Sequence, residues 1–401
     1  MKKIVYLFTT FPKASETFLQ REIEVLAKDR ELSLELYSFI KGDGESFAGC
    51  PLRHLGLKDW AKAVLGLVRM IICHPCLVGK GLFRILTSPP RSLTNAGEQI
   101  LGVVFALSHC ATFRQRPPDR FHAVWATGPA TAALLLHKLT DIPFSMEAHA
   151  YDIYRRGGDC LLLPKLRNAD FIRTSTQAAA KELVRRGAVP EKVHLIRRGL
   201  VDLPPDRQRN SRKGPLRLLS VGRLVPKKGF QFLLEIASAL AAREVDFHLR
   251  LVGDGPLWNH LQEKINQVGL SRKISLTGKL PMEEVWRSHR WADFYLFTGC
   301  VAPDGDRDGF PNVLGEAMAS GAVVLSTEVA GTSEGVQDKE TGRLLPFGSP
   351  EPWVEALLEL KEDSEQQENL RANALHWVQQ NFDARQNAGE LGRLHKTFFT
   401  A

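Results

Sequence analysis

The chain predicts an α/β protein with two doubly wound, mostly parallel sheets. Three observations carry that prediction. Short apolar runs alternate with helical periods in both halves. The length of 401 residues suits two cores rather than one. The alternation also breaks and restarts near residue 203. A composition of 44% apolar and 24% charged residues is that of a soluble globular chain, neither disordered nor fibrous.

In the first half, strands are expected at Lys3–Thr9, Leu32–Phe39, Phe121–Thr127, Pro143–His149, Asp170–Thr174 and Val193–Arg197. Helices are expected at Ser15–Lys28, Gly128–Leu139 and Thr176–Arg186, and the stretch from about 55 to 115 adds helical material. Leu203-Pro204-Pro205-Asp206 through Lys213-Gly214-Pro215 reads as a linker. The first domain is therefore expected over 1–203 and the second over 204–383. A final helix over about 384–401 is expected to pack back on the first. The second domain predicts strands at Leu216–Val221, Phe247–Val252, Ile274–Thr277, Phe294–Phe297, Val323–Ser326 and Arg343–Leu345. Its helices fall at about 229–243, 256–268, 281–290, 312–320, 331–337 and 350–360. Ligands of such sheets bind at the carboxyl ends of strands, so the gap between the two domains is the expected site.

Charge is uneven. Residues 1–200 hold 29 Lys/Arg against 18 Asp/Glu, whereas 201–401 hold 24 against 27. Between 53 and 116, nine basic residues face only Asp59 and Glu98. Ala61–Met70 and Ile100–Phe113 are apolar between those charges. A helix lying on an anionic bilayer and a helical insertion packed on its domain both fit that pattern. Neither run reaches the roughly 20 apolar residues of a membrane span, since Arg69, His74 and Pro75 interrupt the first. Ile4–Thr9 is short and reads as a strand, so no secretory signal is expected. Six scattered cysteines fit a reducing, cytoplasmic compartment, with peripheral contact at the inner face of the membrane left open. Cys73-His74-Pro75-Cys76 is a lone C-x-x-C without a second ligand pair, and no metal site is expected from it. The basic stretch lacks interleaved aromatic residues, which argues against nucleic acid.

The most informative stretch is Asp308-Gly309-Phe310-Pro311-Asn312-Val313-Leu314-Gly315-Glu316, followed by Ala317-Met318-Ala319-Ser320-Gly321. Gly309 and Pro311 predict a loop, Asn312 an N-cap and Gly321 a C′ residue. Asp308 then lies just outside the helix start, and Glu316 lies roughly 6 Å along its axis. Free amides between the two acids would attract phosphate. A carboxylate for sugar hydroxyls, amides for a diphosphate and a second carboxylate for a ribose together describe a nucleotide-sugar pocket. A solvated loop before a surface helix is the plainer alternative.

Gly222-Arg223-Leu224-Val225-Pro226-Lys227-Lys228-Gly229 follows the first strand of the second domain. Gly222 permits a sharp exit, and Gly229 lets a helix start close to the sheet. Arg223 and Lys228, a fork and a point charge, suit a departing diphosphate. Val252-Gly253-Asp254-Gly255-Pro256 ends the next strand in a turn near the nucleotide, and Gly278-Lys279 could meet a base through backbone groups. In the first half, His149 stands at a strand end in Glu147-Ala148-His149-Ala150-Tyr151-Asp152. It suits either a donor-sugar hydrogen bond or a core or capping role. His122-Ala123-Val124 is assigned nothing.

These ordered motifs over 215–350, with Ala330-Gly331-Thr332-Ser333-Glu334, resemble family 4 of the retaining glycosyltransferases, whose GT-B fold has two Rossmann-like domains facing across a cleft. In that family two acids stand eight apart, usually both glutamates. Here the first is Asp308, shorter but equally charged. The resemblance implies that Asp308 touches the donor sugar, Glu316 the ribose, and Arg223 and Lys228 the diphosphate, with no metal and no cofactor beyond the donor substrate. Phe11-Pro12-Lys13-Ala14-Ser15-Glu16-Thr17-Phe18 is similar to members that build exopolysaccharide or lipopolysaccharide-type glycans, although Ser15 is also a plain N-cap. The expected activity is hexosyl transfer from a nucleotide-sugar to a glycan or lipid-linked acceptor. A nucleotide-sugar epimerase of the same fold and a non-enzymatic nucleotide-binding protein at a membrane surface remain alternatives.

Overall fold

A computed structural model describes residues 1–13, 16–42, 44–90, 92–201 and 214–400. Ser15 and most of the expected linker, from Leu203 to Lys213, lie outside these residues. The described chain divides into two compact units, Met1–Arg198 with Ala384–Ala401, and Gly199–Asp383. That division falls ahead of the expected boundary at 203.

The first unit runs β1 (Lys2–Phe11), α1 (Thr17–Leu26), β2 (Leu32–Lys41), β3 (Ser46–Phe47), β4 (Cys50–His54), α2 (Leu57–Cys73), α3 (Pro75–Thr87) and α4 (Leu93–Gln115). It continues with β5 (Arg120–Ala123), α5 (Gly128–Thr140), β6 (Phe144–Glu147), α6 (Ala150–Tyr154), α7 (Leu162–Asn168), β7 (Ile172–Thr174), α8 (Gln177–Arg185) and β8 (Val193–Leu195). The sheet order is β3-β4-β2-β1-β5-β6-β7-β8, parallel except for the β3–β4 pair. β1 is apolar on both faces, from Ile4 to Phe8, because helices cover both sides. β5 and β6 stop before Thr127 and His149, earlier than expected, and the residues beyond them become loops.

The second unit runs β9 (Leu216–Val221), α9 (Phe230–Ala242), β10 (Phe247–Val252), α10 (Trp258–Gln267), β11 (Ile274–Leu276), α11 (Met282–Trp291) and β12 (Phe294–Phe297). Then follow α12 (Asn312–Ala319), β13 (Val323–Thr327), β14 (Arg343–Leu345), α13 (Glu351–Glu362) and α14 (Ser364–Asn381). Its order β11-β10-β9-β12-β13-β14 is wholly parallel and reverses direction between β9 and β12. The crevice of such a sheet opens at that reversal. The helix expected over 331–337 is a single turn at Thr332–Glu334. There Thr332 Oγ1 donates to Thr327 O (3.0 Å) and accepts from Val329 N–H (2.9 Å), which holds the segment as a loop. The last helix, α15 (Ala384–Thr400), belongs to the first unit.

Candidate functional site

At the reversal, β9 and β12 keep register only at Phe294↔Leu218 and Tyr295↔Leu219 and then part. The Tyr295 hydroxyl fills the opening, donating to Val221 O at 3.1 Å and accepting from Val221 N–H at 3.3 Å. The loops that follow are joined by one backbone and one side-chain bond: Cys300 N–H donates to Lys227 O (2.9 Å), and the Thr298 hydroxyl to Gly229 O (3.0 Å). Gly229 is left-handed (φ 66), and a Cβ there would lie 1.7 Å from Thr298 O. Only glycine allows this approach.

The junction brings Lys228 Nζ within 2.6 Å of Asp308 Oδ2, so two expected site residues meet across it. Two residues that motif reading left unassigned complete the cluster. Lys227 Nζ lies 3.1 Å from Asp306 Oδ1 and 3.4 Å from Asp308 Oδ1. The signals for both were present, in the doubled lysine and in the alternating acids Asp304, Asp306 and Asp308. Burial pushes the Asp308 carboxyl up, but Lys228 and Lys227 outweigh it and hold the group below its ordinary value. Arg223 is exposed and makes no ion pair among the described residues.

Asp308 leads into α12. The N-cap position belongs to Pro311 (φ −66, ψ 122), with Asn312 the first helical residue, which corrects the expected cap. A proline with extended ψ ends the loop, and it has no N–H to leave unsatisfied. The first backbone bond of the helix is Leu314 N–H to Pro311 O at 2.9 Å. The amides of Asn312 and Val313 precede it and have no acceptor among the described residues. Gly321 stands at C′ with φ 73, as expected. Phe310 packs its ring on Trp377 and Phe382, at 5.1 and 5.5 Å, and Val313 also faces apolar neighbours. These two therefore offer a ligand backbone rather than side chain. Gly309 O accepts from Gly331 N–H at 3.2 Å.

Glu316 is buried at 7% exposure, with Oε2 3.8 Å from His289 Nε2. Burial raises the Tyr295 phenol well above its ordinary value, and the charges of Glu316 and Asp308 raise it further. Both acids thus bear on the same opening between β9 and β12. Beside it, three glycines meet at the ends of β9, β10 and β11. Gly253 N–H donates to Gly278 O at 3.0 Å, and a Cβ on Gly253 (φ 145) would lie 1.9 Å from Gly222 O. Lys279, next along, is exposed.

His149 lies in the first unit, in a cluster of its own. Its Nε2 is 3.0 Å from Glu147 Oε2 and 3.1 Å from Arg198 Nη2, leaving Nδ1 3.4 Å from Ser175 Oγ as the less engaged nitrogen. Burial pushes its pKa down to about 4; the Glu147 bond opposes this and Arg198 adds to it, so the ring is neutral. Glu147 also binds Arg173 Nη1 at 2.8 Å and Arg198 Nη2, and Glu22 of α1 binds the same two arginines at 2.7 and 2.8 Å. Two acids balance two bases. Asp152 accepts from the backbone N–H groups of Ala126 (3.2 Å) and His149 (3.1 Å), and so ties the loops after β5 and β6. No group of side chains suited to a metal occurs among the described residues, and Cys73 and Cys76 are exposed and unpaired.

Two mostly parallel sheets of this order, the second with a cationic–acidic cluster at its reversal, are those of the GT-B fold. Residues 205–377 match the family model described as glycosyl transferases group 1. The chain is 27% identical to a putative colanic acid biosynthesis glycosyltransferase, WcaL, of Salmonella typhimurium, over 98% of this chain and all of that protein. It is 33% identical to the amylovoran biosynthesis glycosyltransferase AmsK of Erwinia amylovora, over 45% of each chain. Among solved structures, Anabaena HepE in complex with UDP and glucose aligns over 99% of this chain and 100% of its own, with TM-score 0.71 and 16% identity. Residues 205–377 thus carry a group 1 glycosyltransferase domain, and the chain along nearly its whole length is similar to a glycosyltransferase of polysaccharide biosynthesis.

Proposed function

We propose that the protein moves a hexose from a nucleotide-sugar to a hydroxyl of a glycan or lipid-linked acceptor, with retention of configuration, in the assembly of a bacterial-type polysaccharide. The observation that carries this reading is the Lys228–Asp308 pair at the strand reversal, beside the open amides of Asn312 and Val313. A bound diphosphate would draw on Lys228, Lys227, Arg223 and those amides, and would release the Asp308 carboxylate to the sugar hydroxyls. Glu316 is assigned to the ribose, and the glycine junction of Gly222, Gly253 and Gly278, with Lys279, to the nucleoside. His149, neutral at pH 7, is assigned to the sugar.

Front-face displacement fits this set, since no side chain stands out as a nucleophile. The bond from the anomeric carbon to the diphosphate oxygen breaks, and the acceptor oxygen bonds to the same face. The acceptor proton passes to the departing diphosphate. Rate enhancement then comes from positioning and from cations that stabilise the leaving group. Those cations take the place of a divalent metal, so transfer should survive EDTA. The names of WcaL and AmsK support polysaccharide assembly as the setting, and the UDP and glucose bound to HepE support a nucleotide-sugar donor.

The test is a thermal-shift panel of UDP, GDP, ADP and dTDP sugars. A donor at 100 times its dissociation constant stabilises by about 2.7 kcal/mol. The responding donor is then incubated alone and with glycan acceptors. Sugar altered without an acceptor would identify an epimerase, and no response to any donor would remove the reading.

A further inference from the structure

We infer that the outer face of α2 and α3 docks on an anionic lipid bilayer. α2 presents one seam to the protein: Ala63 is buried, and a Cβ on Gly66 would lie 2.7 Å from Leu107 O of α4. Much of the rest of this helix faces outward with apolar side chains. Val64, Leu65, Val68 and Ile72 are 63%, 72%, 52% and 72% exposed, and on α3 Phe83 and Leu86 are 68% and 81% exposed. A surface helix normally turns polar side chains outward, so this face needs a partner.

Two observations choose a lipid surface over a protein. First, α2 and α3 carry five basic residues, Lys58, Lys62, Arg69, Lys80 and Arg84, against the single acid Asp59, which already pairs with Lys62 at 3.3 Å. Second, no Ser, Thr, Asn or Gln occurs from Leu57 until Thr87. A protein interface needs neutral hydrogen-bonding groups at its rim, whereas a bilayer needs only apolar side chains below its phosphates and cations among them. Trp60, part-exposed on α2, suits the headgroup level. No single helix among the described residues is long and apolar enough to cross a membrane. α2 and the start of α3 meet at 106°, which suits two helices lying in the interface. The inference deepens the reading of a lipid-linked acceptor and rests on it for its purpose. Its test reads lipid binding alone.

The full chain is sedimented with vesicles of phosphatidylglycerol and phosphatidylcholine, and with pure phosphatidylcholine. Anionic vesicles should bind it at least about ten-fold more strongly, and salt should weaken the binding. The triple variant Leu65→Ser, Ile72→Ser, Phe83→Ser changes only exposed side chains. It should lose vesicle binding while keeping the donor-induced thermal shift. Trp60 should report entry as a blue-shifted emission that is absent in Trp60→Phe. Equal sedimentation of parent and triple variant would overturn the inference, as would a dimer that the same three changes dissolve in the absence of any vesicle binding. Failure of the donor panel with vesicle binding intact would count against the proposed reaction and not against the docking face.

Discussion

Lys228 and Asp308 hold each other at 2.6 Å, and on the proposed reading a bound diphosphate would divide them. Asp308→Asn should therefore separate binding from turnover. Nucleoside diphosphate should bind at least as tightly, because two lysines lose a competing anion, while sugar transfer loses about 1.5–3 kcal/mol of charge-assisted hydrogen bonding. Calorimetric titration with the diphosphate, set against kcat/KM, checks the split; equal losses in both would place Asp308 outside the sugar site. Arg223 has no carboxylate to release among the described residues, so Arg223→Ala should cost about 1.5–3 kcal/mol in kcat/KM with little change in stability. Unchanged turnover would remove it from the site. His149 carries the pH argument. Its folded value of about 4 lies below the unfolded value of about 6.5, so the unfolded chain binds the extra proton between them. This contribution to stability is complete above pH 6.5 and is lost as the pH falls towards 4, by at most about 1.4 kcal/mol per unit. Subtracting the denaturant stability of His149→Gln from that of the parent removes other titrating groups. The difference should grow between pH 4 and 6.5, and a flat difference would mean an imidazole free to protonate.

Among the elements, the two glycines that bracket the cationic loop make opposite predictions. Gly229→Ala meets a positive φ and backbone at 1.7 Å, so both the turn and the loop from β12 must move. It should cost more than the roughly 1–2 kcal/mol of a left-handed residue and weaken donor binding as well. Gly222→Ala meets only the Lys228 stem at 3.4 Å, so melting temperature should hold while donor affinity falls. Thermal melts with and without donor distinguish the two, and a Gly229→Ala protein that melts like its parent would show a looser junction. The same elements show what sequence can reveal. β9 to β14 were legible because each is an apolar run between turn residues, and the motifs Gly222–Gly229 and Asp308–Glu316 lie at their carboxyl ends. The β3–β4 hairpin was hidden because its turn, Ala48-Gly49, reaches positive φ (50 and 78) without the usual Asn or Asp. α14 was hidden because one narrow seam, Leu370, Ala374 and Val378, is buried within a polar run. The Glu22–Glu147–Arg173–Arg198 cluster could not be read from spacing, since its members come from α1, β6, β7 and the end of the first unit.

The whole chain enters the first unit twice, because α15 follows the second unit yet packs against α1 and β1. Tyr6 Oη lies 3.1 Å from His395 Nε2, and Leu391 and Ala388 join the β1 core. Arg120, 1% exposed, pairs with Asp170 at 2.7 Å and donates to the carbonyls of His395 and Phe398, both at 3.2 Å, under the Phe399 ring. Ending the chain after Asp383 would strip these partners from a buried guanidinium and uncover the apolar face of α1. Leaving a buried charge short of partners costs about 3–5 kcal/mol, a large share of the 5–15 kcal/mol that holds a domain folded. The first unit should then melt early or fail to fold. The second unit keeps its sheet and its Lys227–Lys228–Asp306–Asp308 cluster, none of which lies beyond Asp383. Calorimetry of the truncated chain should show the first unit's transition lowered or lost and a second transition that nucleoside diphosphate still raises, while sugar transfer disappears. Two transitions at their original temperatures would mean that the final helix contributes nothing to the first core, against the contacts that Arg120 makes with His395, Phe398 and Phe399.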